Sequence, residues 1–146
     1  DTDVLKTAHF RPQPRVREGV ILARGGVRAA MDISDGLVAD LEKMAGMSKA
    51  GARIILDKVP VDPALVRAFP DEWRELALGG GEDYELLFTA ARSVMEAVLP
   101  ELGPRAAVIG EVTRAPSKRG PPVIVTGPAG ARVPVGHAGW DHRREE

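Results

Sequence analysis

Two short stretches of the 146-residue sequence set carboxylates beside glycines, MDISDGL (31–37) and GGGEDYE (79–85). In the first, Asp32 and Asp35 stand three residues apart around Ser34, and Gly36 leads into an apolar run. A strand-turn-helix junction there would gather unpaired backbone N–H groups and the positive end of a helix dipole, which suits phosphate oxygens. Two carboxylates beside such an end also suit a hard cation, because Mg²⁺ takes oxygen ligands and keeps several waters. A second reading stands next to this one: Ser34 or Asp35 only caps the helix that follows. In the second stretch, Gly79 to Gly81 permit backbone angles that other residues resist and let a ligand come close, with Glu82 and Asp83 facing it. The alternative is a plain loop carrying two solvated acids.

Few other residues offer chemistry. Trp140 closes a polar tail, where its ring either seals the end of the domain or stacks on a heteroaromatic ligand. His9, His137 and His142 lack metal-site spacing, and no Ser/His/Asp arrangement is evident. Neither the lysine-bearing phosphate loop G-x-x-x-x-G-K-[ST] nor the dinucleotide fingerprint G-x-G-x-x-G is present. Any phosphoryl transfer would therefore draw most of its phosphate-binding groups from elsewhere.

The elements that must position these residues follow from periodicity and punctuation. Pro12 and Pro14 make FRPQPR an extended connector, and residues 1–15 read as a linker or entry segment leading into a domain over 16–146. A short helix from Val16 stops at Gly25 and Gly26, and a strand follows that ends at Asp32. Leu37, Val38, Leu41, Met44 and Ala45 recur at helical spacing, giving the clearest helix, which Gly51 is expected to break. ARIILD reads as a covered strand, and Asp62 with Pro63 opens a helix running to about Phe69. A further helical turn or two ends at the glycine triplet. YELLFTA alternates Tyr84, Leu86 and Phe88 against Glu85, Leu87 and Thr89, which predicts a strand. RSVMEAVLPEL is helical, AAVIGEV a strand, and PPVIVTGPAGARVPV two strands about a Gly/Pro turn. The sum is an α+β domain whose helices cover a mixed or antiparallel sheet.

Bulk composition bounds the function. With 44% hydrophobic residues the chain can build one core. A formal net charge of −1 supplies no basic field for nucleic acid. The absence of cysteine removes disulfides, thiolate metal sites and cysteine nucleophiles. No apolar run is long enough to span a bilayer, so no membrane partner is expected and the cytoplasm is the expected compartment.

Taken together and in order, MDISDGLVADL, GGGEDYELLFT, VIGEV and a closing GW resemble the C-terminal half of the thiamine-monophosphate kinase family, and HFRPQPRV near the start is similar to that family's lead-in. The resemblance covers nearly the whole chain. It implies a three-layer α/β/α domain with a largely antiparallel mixed sheet, like the C-terminal domain of aminoimidazole ribonucleotide synthetase. It further implies transfer of the γ-phosphate of ATP to thiamine monophosphate, giving thiamine diphosphate, with Mg²⁺. Asp32 and Asp35 would be magnesium ligands, Ser34 would contact ATP, and Glu82 and Trp140 would contact the thiamine substrate. Asp83 is expected to brace its loop through hydrogen bonds to backbone N–H groups. The family's N-terminal ATP-binding domain would be the partner, within a homodimer, and these 146 residues alone are expected to be inactive. Two rivals remain: a sister ATP-dependent synthetase of the same superfamily, and a non-catalytic ligand-binding module.

Overall fold

The computed structural model describes residues 2–116 and 120–136. Along the chain run α1 (Thr2–Phe10), α2 (Val16–Arg24), β1 (Ala29–Asp32), α3 (Leu37–Met47), β2 (Ala50–Ile55), α4 (Pro63–Ala68), α5 (Trp73–Gly79), β3 (Leu86–Thr89), α6 (Arg92–Leu102), β4 (Gly110–Arg114), β5 (Val123–Thr126) and β6 (Arg132–Val133). The fold is α+β, as the element pattern predicts. Its strands form two sheets among the described residues. One is the antiparallel pair β1–β3, and the other has the order β4-β2-β5-β6. In the second sheet β2 runs antiparallel to β4 and parallel to β5, and β6 returns antiparallel to β5.

The core lies where α3 covers the larger sheet. Leu37, Val38 and Leu41 from α3 join Ile54 of β2, Val123 and Val125 of β5, Leu78 of α5 and Leu87 of β3. These α3 positions repeat at three and four residues, so one stripe of the helix faces inward. Thr126, buried in β5, donates from its hydroxyl to the Ile54 carbonyl at 3.2 Å and so satisfies a polar group inside the apolar layer.

Several sequence expectations shift. Residues 2–10 form a helix that the sequence pattern did not announce, and it buries no residue; the stretch with Pro12 and Pro14 that follows is non-helical, as expected. Helix α3 has ended by Ser48, and Gly51 lies inside β2. Strand β3 begins at Leu86, with Leu87 its most buried residue, whereas Tyr84 sits in the preceding loop at φ 51°. Strand β4 starts at Gly110, later than AAVIGEV suggests. The Asp62 cap is as expected: its carboxylate accepts from the Ala64 N–H at 2.8 Å, with Pro63 in the first turn.

Candidate functional site

The antiparallel pairing of β1 with β3 sets Asp32 opposite Leu86, and so brings the two glycine-rich loops to the same end of that small sheet. Backbone bonds then lace the loops together. The Ile33 N–H donates to the Glu85 carbonyl at 2.9 Å, the Tyr84 N–H to the Ile33 carbonyl at 2.8 Å, and the Glu82 N–H to the Ser34 carbonyl at 2.8 Å. The approach is too close for side chains. A Cβ on Gly81 would lie 2.7 Å from the Ser34 carbonyl oxygen, and one on Gly36 would lie 2.8 Å from the Gly79 carbonyl oxygen. Glu82 and Tyr84 both take positive φ, 67° and 51°, a conformation that a non-glycine residue holds only when its surroundings impose it.

Neither Ser34 nor Asp35 caps α3. The capping position is Gly36, with no side-chain cap. The turn is held from the opposite direction, by Asp40 in the first turn of α3. Its Oδ2 accepts from the backbone N–H groups of Ser34 and Asp35, each at 2.9 Å, and its Oδ1 accepts from the Lys43 ammonium at 2.7 Å. Asp40 has no accessible surface. Burial alone would raise its pKa. The hydrogen bonds from Lys43 and from the two backbone N–H groups outweigh that and hold the carboxyl below its ordinary value. Lys43 also donates to Asp35 Oδ2, and its own pKa is raised by the Asp35 and Asp40 hydrogen bonds.

The sequence-predicted residues therefore fall as follows. Asp32 is exposed at the end of β1, while Ser34 and Asp35 are half-buried in the braced turn. Glu82 is exposed on the neighbouring loop, with His9 Nδ1 of α1 at 3.8 Å from its carboxylate. These four come together; Trp140, His137 and His142 lie outside the described residues. Sequence reasoning missed Asp40, Lys43 and Arg15. The first two stand on the side of α3 that its charge pattern marks as polar, so their inward reach left no signal in the periodicity. Arg15 anchors the other loop, with Nε and a terminal nitrogen donating to the two Glu85 oxygens at 2.8 and 2.6 Å. That hydrogen-bonded contact raises the arginine's pKa.

Asp83 does not brace its loop: it accepts no hydrogen bond from the described residues, and the backbone bonds above do that work instead. The residue is exposed over much of its surface, yet protein atoms crowd its carboxyl, and desolvation followed by repulsion from Glu85 pushes its pKa up from 3.8 to about 6. A carboxyl whose folded pKa is raised favours folding fully only below its unfolded value, and that contribution is lost as pH rises through about 6. Asp83→Asn is accordingly expected to match the parent chain near pH 4 and to unfold at a higher temperature at pH 7, as melts across that range would show.

Away from these loops an open groove of about 590 Å³ lies between α2 and α6, lined by Arg17, Val20, Ile21, Arg24, Pro100 and Glu101. The loops instead form an edge. They offer exposed carboxylates beside an uncapped helix N-terminus, which suits a phosphate-bearing ligand approached with a hard cation.

Comparison with known proteins identifies the family. Residues 1–121 match the family model of the AIR synthase related protein, C-terminal domain. A thiamine-monophosphate kinase from Escherichia coli O157:H7 is 41% identical over 117 residues, which is 77% of this chain and 36% of that protein. Among solved structures, the thiamine-monophosphate kinase from Stenotrophomonas maltophilia K279a superposes with a TM-score of 0.72 at 36% identity, over 89% of this chain and 40% of that one. AaThiL complexed with AMPPCP and TMP gives 0.75 at 33% identity, over 95% and 41%. The chain thus spans well under half the length of these relatives. On the match over most of its length, the chain belongs to the AIR synthase related protein C-terminal domain family and is similar, within it, to the thiamine-monophosphate kinases.

Proposed function

We propose that this chain is the substrate-facing part of an ATP-dependent kinase that transfers the γ-phosphate of ATP to thiamine monophosphate, giving thiamine diphosphate in the cytoplasm. The observation that carries the reading is the lacing of the 33–36 turn to the 79–85 loop, in a chain similar to thiamine-monophosphate kinases over 77% of its length. In this reading the N-terminal ATP-binding domain of the relatives supplies most phosphate contacts, within a homodimer. Ser34 touches ATP at the start of α3, and Glu82 meets the thiamine side, with Trp140 closing over it.

The residues fit magnesium as part of a shared site. Among the described residues no cluster of three or more His, Cys, Asp or Glu could hold an ion alone. Asp32 and Asp35 are hard oxygen donors three residues apart at one loop edge, suited to an ion whose other positions go to phosphate oxygens and water. When bound, magnesium offsets the negative charge that gathers between donor and acceptor phosphates. The chain's own part is orientation. Asp40 fixes the Ser34 and Asp35 backbone, the glycines let the substrate loop come within hydrogen-bond distance, and Arg15 holds that loop's far end through Glu85. Such positioning is what phosphoryl transfer chiefly asks of a protein.

The test is thiamine diphosphate formation by this chain joined to the N-terminal half of the E. coli relative. Asp32→Asn and Asp35→Asn should each lower turnover by about 100-fold or more, the scale of losing one electrostatic group aimed at developing charge. Unchanged turnover would remove the metal assignment.

A further inference from the structure

Lys43 places one ammonium between two carboxylates of unequal depth. It donates to Asp40 Oδ1 at 2.7 Å and to Asp35 Oδ2. The Asp40 side chain is 0% exposed and accepts two backbone N–H groups as well. The Asp35 side chain is 27% exposed, and its other contact is the Ser34 hydroxyl at 3.5 Å. Lys43 itself is 49% exposed, so solvent reaches the ammonium.

We propose that Lys43 is a built-in counter-cation for Asp35: a positioning residue that is anchored on buried Asp40, holds the Asp35 carboxylate in place, and yields it to a divalent cation arriving from solvent. The two contacts differ in what it takes to break them. Releasing Asp35 separates a part-exposed ion pair, a class that contributes little. Releasing Asp40 would strand a carboxylate with no route to water, which is far more unfavourable. An ammonium is a compact charge with three donors on a flexible stem, so it can let go of one carboxylate while keeping the other. Lys43 thus competes with the metal for Asp35 and keeps the ligand oriented when no metal is bound. This inference rests on the metal role proposed above for Asp35.

The test is a Mn²⁺ titration of the 146-residue chain with millimolar thiamine monophosphate present to supply the phosphate oxygens of the shared site, reading free Mn²⁺ by electron paramagnetic resonance against a chain-free control; Mn²⁺ favours the same oxygen ligands as Mg²⁺. Lys43→Met should tighten binding roughly fivefold, the yield of removing one part-exposed ion pair. Lys43→Gln, which retains a donor for Asp40, should do the same and serves if the methionine variant fails to fold. Lys43→Arg should keep the parent affinity, and adding Asp35→Asn to Lys43→Met should abolish the gain. If Asp35→Asn weakens binding but the Lys43 variants match the parent, the metal role stands and the counter-cation is overturned. If Asp35→Asn changes nothing, or no variant binds Mn²⁺ with thiamine monophosphate present, both fall.

Discussion

Asp40→Ala should lower the unfolding free energy by about 3 kcal/mol in urea titration, because it removes the buried member of a charge pair and strands its donors. Against a typical total of about 5–15 kcal/mol, that is a large share for one exchange. Two backbone donors lose their acceptor at once, the Ser34 and Asp35 N–H groups, and the Lys43 ammonium is left with Asp35 alone. The loss should also depend on pH in a defined direction. The folded carboxyl lies below its ordinary value of 3.8, so its stabilisation is present above that value and disappears as pH falls through the lowered one. The gap between parent and variant should therefore be widest near neutrality and close in strong acid. A gap that stayed constant into acid would mean that Asp40 acts only by filling space.

Gly36→Ala is expected to be nearly as damaging, for a different reason. Gly36 has φ 120° and ψ 150°, a backbone region that is essentially glycine-only and costs other residues about 1–3 kcal/mol. The added Cβ would also meet the Gly79 carbonyl oxygen at 2.8 Å, and backbone on both sides leaves no flexible side-chain end to give way. Together these should destabilise by about 3 kcal/mol or more, measured by the same titration. Relief would most simply come from parting the two loops. Hydrogen exchange at the Glu82 and Tyr84 amides should then quicken more than at the Ile54 amide in the sheet. Equal quickening at all three would point to global unfolding alone.

Much of this was legible in the residues. The apolar stripe of α3, the Asp62–Pro63 start of α4 and the hairpin formed by β5 and β6 all follow from local rules, and the structure holds them close to their expected bounds. The two acid-and-glycine motifs also announced themselves. What local rules could not supply was their union, since β1 and β3 are separated by some fifty residues that contain three helices and a strand of the other sheet. The choice between capping and another role for Ser34 and Asp35 was open for the same reason. Capping is a propensity, and here it is overridden by Asp40, a residue whose position on α3 looks like solvent-facing charge until Lys43 and the turn fold over it. Tyr84 shows the reverse error. Its alternation with Leu86 and Phe88 fits a strand, but its own backbone bond to Ile33, beside that of Glu82 to Ser34, holds it in a left-handed loop conformation.

The central claim is that the 33–36 turn and the 79–85 loop act as one site. Nuclear magnetic resonance of the labelled 146-residue chain, titrated with thiamine monophosphate and Mg²⁺ at millimolar levels, tests it most directly. The amides of Ser34, Asp35 and Gly36 should shift together with those of Gly81 and Glu82, along one binding curve. Shifts confined to one of the two loops, or centred on the groove between α2 and α6, would contradict it.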